Sequence, residues 1–224
     1  MAPDVVAWAA RTPYRSLIGC LMYIAVGTCP DIAYAVGCLV SFLDCYSLEH
    51  WEAVICVMQY LKGTCSLCLT LGGSGVLQLT GFSDSDYANC VDTSCSIGRY
   101  CFSLGSGTIL WSSRKQRTVA NLFCYAKYIA LHDAAHEANF LCQLLTGLHL
   151  HPSKATPIHC DNNTTTILSE DYVWHPHVKH IRVKYYYVRE QVEDGEVIVA
   201  RTRSANNVAD ILTKPLGQAD FLQL

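Results

Sequence analysis

The sequence predicts an α/β domain built on a mixed sheet and preceded by a small helical segment, and two features carry that reading. The spacing of apolar residues changes from helical to alternating at a glycine-rich joint, Leu71-Gly72-Gly73-Ser74-Gly75. Beyond the joint the elements run strands, long helix, strand, helices, strand, short helix, an order that lays helices on a sheet. The expected domains are therefore a helical part over residues 1–72 and a sheet-bearing part over 73–224.

Before the joint, Tyr14 to Val26 is a compact apolar run closed by Gly27-Thr28. Pro30 suits the first turn of a second helix, whose body runs through Ile32, Val36, Leu39, Val40 and Leu43 at helical spacing. Ser47 is the expected N-cap of a third helix, with Glu49 near its positive end and Gly63 as its stop. That helix places Trp51, Val54, Ile55, Met58 and Leu61 on one face. No acids converge in this layer, which reads as packing.

After the joint, Val76 to Phe82 alternates and delivers Ser83-Asp84-Ser85-Asp86. Tyr100–Leu104 and Thr108–Trp111 flank Gly105-Ser106-Gly107 as a hairpin, and a further strand segment is expected over Arg117–Ala120. Tyr125 to Leu148 is a long helical pattern. Pro157–Cys160 is a short strand that presents Asp161 at its end. Helical stretches follow at Thr164–Leu168 and His180–Val192, then a strand at Val197–Ala200 after Gly195, then a short helix over Ala205–Leu212.

Bulk properties exclude several classes. With 51% hydrophobic and 16% charged residues the chain is too apolar for a disordered protein. A net charge of −3 gives no global attraction to nucleic acid, so any such site is a local patch. No apolar run approaches the roughly 18 residues of a membrane helix, and Met1–Ala10 lacks the pattern of a signal peptide, so no membrane association and an intracellular location are expected. The 13 cysteines form no even framework, and reduced thiols are expected. Cys65-Ser66-Leu67-Cys68 lacks the second ligand pair of a zinc site.

Three acids stand where chemistry is possible: Asp84 at a strand end, Asp161 at a later strand end and Asp210 in the last helical segment. Carboxylates converging from separate elements can hold Mg²⁺, a hard cation that takes oxygen ligands, and a pair of such ions can cleave a phosphodiester. The competing reading is incidental acids near strand ends. Asp86 is either an auxiliary ligand or a solvated turn acid.

The resemblance to a family is carried by ordered motifs. Tyr14-Arg15-Ser16-Leu17-Ile18-Gly19, Pro30-Asp31-Ile32-Ala33-Tyr34-Ala35-Val36, His50-Trp51 and Tyr60-Leu61-Lys62-Gly63-Thr64 resemble the end of a copia-type reverse transcriptase. Phe82-Ser83-Asp84-Ser85-Asp86-Tyr87-Ala88, Trp111-Ser112-Ser113-Arg114-Lys115-Gln116, Cys160-Asp161-Asn162, Lys179-His180-Ile181 and Ala209-Asp210-Ile211-Leu212-Thr213-Lys214-Pro215-Leu216 resemble the ribonuclease H that follows it in the Pol polyprotein of copia-type LTR retrotransposons.

The resemblance implies a ribonuclease H-like fold and a site of three aspartates and one glutamate that holds two Mg²⁺ ions, with Mn²⁺ as a substitute, to cut RNA in an RNA–DNA hybrid. By motif the aspartates fall on Asp84, Asp161 and Asp210. The glutamate segment reads Cys124-Tyr125-Ala126-Lys127-Tyr128-Ile129-Ala130-Leu131 here; Ala126, Tyr128, Ala130 and Leu131 anchor it, and the glutamate position holds Lys127. A lysine offers positive charge and only donors, so metal binding is expected to be weakened and cleavage impaired, with the fold kept. Other departures are Cys29 at an expected arginine, Ser94 and Cys95 at an expected basic pair, and Gly98-Arg99 at an expected Ser-Gly. No Tyr-Val-Asp-Asp-like polymerase turn occurs in residues 1–72, so no DNA synthesis is expected.

Two basic stretches are candidate contacts to a nucleic-acid backbone: Arg114, Lys115 and Arg117, and Lys179, His180 and Arg182, the latter continuing to Lys184 and Arg189. Solvated surface is the competing reading. Expected partners are an RNA–DNA hybrid and the upstream reverse transcriptase portion of the parent polyprotein. The alternative function is a non-enzymatic nucleic-acid- or protein-binding protein, host-domesticated or effector-like, that keeps the fold.

Overall fold

The computed structural model describes residues 12–72, 77–86, 95–116, 123–150, 155–170 and 182–212. The chain divides into two compact units, Met1–Leu69 and Thr70–Leu224.

The first unit holds helices α1 (Tyr14–Gly27), α2 (Ala33–Val40) and α3 (Leu48–Gly63), with a 3₁₀ turn at Pro30–Ile32 leading into α2. Its core is the stripe Tyr14, Ile18, Leu21 and Ala25 of α1 against Val36 and Leu39 of α2 and Val54 and Val57 of α3. The Tyr14 hydroxyl donates to the Leu39 carbonyl at 2.9 Å, so the polar end of a fully buried ring is satisfied. Ser47 precedes α3 as expected, and its backbone N–H donates to His50 Nδ1 at 2.9 Å. Two expectations are corrected. Helix α2 stops at Val40 because Ser41, Phe42 and Leu43 bond back three residues and tighten into a 3₁₀ turn. The buried line of α3 runs through Val57, while Met58 faces outward.

The second unit is a five-stranded mixed sheet in the order β3-β2-β1-β4-β5. Its strands are β1 (Leu79–Asp86), β2 (Ile97–Leu104), β3 (Gly107–Lys115), β4 (Thr156–Cys160) and β5 (Val197–Arg201). β1, β2 and β3 are antiparallel neighbours, whereas β4 runs parallel to β1 and β5 parallel to β4. The β2–β3 hairpin turns at Gly105-Ser106, where Gly105 adopts φ +64°, a conformation that an L side chain resists. Gly81 is needed for a different reason: a Cβ there would lie 2.6 Å from the Phe102 ring.

The helices of this unit are α4 (Phe123–Gly147), α5 (Asn163–Glu170) and α6 (Arg182–Glu193). α4 crosses β1 and β2 and buries Tyr128, Leu131, Ala134, Ala135 and Ala138 against Phe102 and Ile158. Its small alanines let the helix approach the sheet closely, and Tyr185 and Val188 of α6 close the same core. The expected helix over Ala205–Leu212 is corrected to two 3₁₀ turns, Ser204–Asn206 and Val208–Leu212. Between them Asn207 is extended, and its side chain donates to the Ser83 carbonyl and accepts from the Ala209 N–H. Those bonds pin the segment to β1 and interrupt a continuous helix. The strand expected over Arg117–Ala120 lies outside the described residues. Among the described residues no helix is long and apolar enough to cross a membrane.

Candidate active site

β1 and β4 pair in register only at Gly81↔Ile158 and Phe82↔His159. Asp84 and Asp161 each follow two residues beyond the last of these pairs, where two parallel strands part at the point where the strand order reverses. Crevices beyond the carboxyl ends of strands are where α/β sheets place ligands. Here the crevice receives a side chain of the protein itself.

Lys127 stands in the second turn of α4, whose start is held by Gln116: its side-chain Nε2 donates to the Ala126 carbonyl at 2.9 Å. Lys127 Nζ lies 2.9 Å from Asp84 Oδ1 and also donates to Asp161 Oδ1. The ammonium is 4.8 Å from the centroid of the Phe123 ring, one helical turn back. All three charged side chains are shielded, at 7% exposure for Lys127, 8% for Asp84 and 15% for Asp161. Burial works against the charge on Lys127. The attraction of Asp84 and the hydrogen bonds to Asp161 and Asp84 outweigh it, and the lysine pKa is raised above its ordinary value.

Asp210 is buried on the Val208–Leu212 turn, which packs on β1 and β2. The structure thus brings Lys127 together with Asp84 and Asp161, and sets Asp210 on a segment packed on β1, the strand of Asp84, and on β2. Among the described residues, no three His, Cys, Asp or Glu side chains converge in a way that would hold a metal ion. Asp86 closes β1 opposite Ile97 and is half-buried.

Of the expected nucleic-acid contacts, Arg114 and Lys115 are exposed at the end of β3. Arg117, Lys179 and His180 lie outside the described residues, as does the side chain of Arg182. Further along α6, Lys184 pairs with Asp133 at 3.4 Å and Arg189 with Glu193 at 3.5 Å, so both are engaged within the unit. Tyr185 belongs to the core. Tyr187 stacks on His136 at 3.8 Å beside His132, a cluster that sequence reasoning missed although the i, i+4 spacing of the two histidines put them on one helix face. Arg99 was also missed as a site residue: it is fully buried on β2, directly across from Asp84.

No protein-family model matches the sequence. The chain is 39% identical over 212 residues to the retrovirus-related Pol polyprotein from transposon TNT 1-94 of Nicotiana tabacum; the match covers 95% of this chain and 16% of that polyprotein. It is 40% identical over 131 residues to secreted RxLR effector protein 161 of Plasmopara viticola, covering 58% of this chain and 92% of that one. The foamy viral protease-reverse transcriptase, solved in complex with an RNA/DNA hybrid, superposes with a TM-score of 0.50 over 91% of this chain and 26% of that one, at 11% identity. At that identity the likeness speaks for the fold alone. The fold is ribonuclease H-like, and the chain belongs to the family of copia-type retrotransposon Pol polyproteins, of which it represents a C-terminal region.

Proposed function

We propose that this chain is a retrotransposon-derived ribonuclease H-like protein that binds RNA–DNA hybrid but is impaired in metal-dependent cleavage. The observation that carries the proposal is the ammonium of Lys127 seated between Asp84 and Asp161. A hard divalent cation takes oxygen donors and repels positive charge. The residues present offer it a crevice in which Asp161 Oδ1 already accepts from Nζ and Asp84 Oδ1 is ion-paired with it, and in which the fourth expected oxygen ligand is a donor-only group. The set Asp84, Asp161 and Asp210 with Lys127 does not fit a pair of Mg²⁺ or Mn²⁺ ions.

In this reading residues 1–72 are the helical end of a reverse transcriptase and residues 73–224 its ribonuclease H-like domain. Exposed Tyr23 and Val26 on α1 support an upstream polymerase portion as a partner for the first unit. Exposed Arg114 and Lys115 at the end of β3 supply phosphate contacts, with Arg117, Lys179, His180 and Arg182 as further candidates.

The test is the purified chain with a labelled hybrid in Mg²⁺ or Mn²⁺. Salt-dependent binding without product is expected, and cleavage at the rate of an intact ribonuclease H overturns the proposal. A second reading, a non-enzymatic protein kept for a host or secreted role, is favoured by one observation: the Plasmopara relative named a secreted effector matches this chain over most of its own length. Failure to bind hybrid at low salt supports that reading over the first.

A further inference from the structure

Lys127 is not the only cation buried at this site. Arg99 has no exposed surface and is the largest fully buried side chain among the described residues. A guanidinium does not lose its proton inside a protein, so burial there requires anionic or strongly polar company.

The sheet register says which company. In the antiparallel ladder Arg99 lies directly opposite Asp84 on one side and Ser113 on the other, and directly opposed residues project from the same face. Ser113 identifies that face: its hydroxyl donates to the Leu212 carbonyl at 3.1 Å, so the face is the one roofed by the Val208–Leu212 turn. The neighbouring β2 residue Tyr100 points the other way, its hydroxyl donating to Glu137 of α4 at 3.0 Å. Buried Asp210 sits on the roofing turn. Arg99 therefore occupies the space between a strand that carries Asp84 and a turn that carries Asp210.

We propose that Arg99 is the second cation of the site, its guanidinium offsetting the charge of Asp84 and Asp210 across the face that they share rather than through a direct hydrogen bond. Resting on the Lys127 reading above, this extends it from one lost ligand to a closed charge cluster in which three aspartates are met by two fixed cations. The consequence is that the site has two independent blocks against a divalent ion. Restoring the acid at 127 removes one of them and leaves the guanidinium in place.

The test compares Mn²⁺ binding, by paramagnetic resonance and calorimetry, in the full chain and in K127E, R99G and K127E/R99G. The double variant is expected to bind Mn²⁺ at least about tenfold more tightly than K127E alone. Equal affinity in K127E and the double variant overturns the role of Arg99 and leaves the Lys127 reading intact. Wild-type binding as tight as that of the double variant overturns the Lys127 reading and this one with it. A thermal-stability cycle of R99M, D210N and R99M/D210N stands apart from metal binding. Paired charges make the double variant less destabilised than the sum of the singles, and additive losses overturn the pairing.

Discussion

Replacing Lys127 by methionine isolates the charge. Methionine keeps an unbranched stem of similar reach, so the packing along α4 is largely preserved and the ammonium alone is removed. What is left is a crevice with Asp84 at 8% and Asp161 at 15% exposure, two carboxylates that have lost a shared partner lying 2.9 Å from the first of them. Removing one member of a buried ion pair costs about 3–5 kcal/mol, because the survivor stays desolvated. The lower end applies here, since Asp161 sits at the crevice mouth and recovers some hydration. For a unit spanning Thr70–Leu224, about 3 kcal/mol corresponds to a fall of roughly 6–12 °C in Tm. Calorimetry measures the fall, and amide exchange in β1 and β4 assigns it to the sheet-bearing unit. A shift of less than about 2 °C, with faster exchange nowhere near the crevice, would mean that the ammonium does not compensate the acids.

Other substitutions probe the frame around the site. Gly81→Ala drives a Cβ to 2.6 Å from the Phe102 ring, and a loss of about 1–3 kcal/mol is expected in chemical denaturation, with no loss refuting the close approach. Tyr14→Phe removes the buried donor to the Leu39 carbonyl and should cost about 1 kcal/mol, visible as faster exchange in α1 and α2 while the sheet amides are unchanged. For Asp133, burial opposes ionisation, but the hydrogen bond from His132 and the charge of Lys184 prevail, and its pKa lies below the ordinary value. Its contribution is therefore complete above the unfolded carboxylate pKa of about 3.9 and is lost as pH falls through the lower folded value. Asp133→Asn should flatten that part of the acid unfolding curve, and an unchanged curve would contradict the assignment. Chelator or millimolar Mg²⁺ should leave the wild-type Tm where it is, as read by a thermal scan in each.

Much of this architecture was legible because it rests on local rules. The hairpin at Gly105-Ser106, the start of α3 after Ser47 and the delivery of Asp84 by an alternating strand each follow from a short stretch of sequence, and the structure has them. Lys127 was legible only through motif resemblance, since nothing in a helix that reads Ala126-Lys127-Tyr128 marks the lysine as buried. Arg99 was not legible as a site residue at all. An arginine in a strand ordinarily points to water, and its burial depends on the Val208–Leu212 turn lying across that face, more than a hundred positions away in the chain. The last helix was misread for the same reason: the bond from Asn207 to the Ser83 carbonyl is a long-range contact that overrides local helical spacing.

On the proposed reading, the electrostatics also explain how such a site could lose its ligand set without losing its fold. A cluster of carboxylates at one crevice is self-repelling and needs positive charge to be stable there. When that charge is a bound ion, stability follows the ion concentration by mass action. When it is a lysine on α4, joined on the proposed reading by an arginine on β2, the counter-charge is part of the chain and is present at every concentration of free metal. Lys127 meets the two acids on either side of the parting strands, and its helix is held in place by Gln116 at one end of the same sheet. Under the proposed function, the residue that stands in for an oxygen ligand is also one that keeps Asp84 and Asp161 tolerable in a buried crevice, so impaired metal chemistry and a retained ribonuclease H-like fold would have one physical cause.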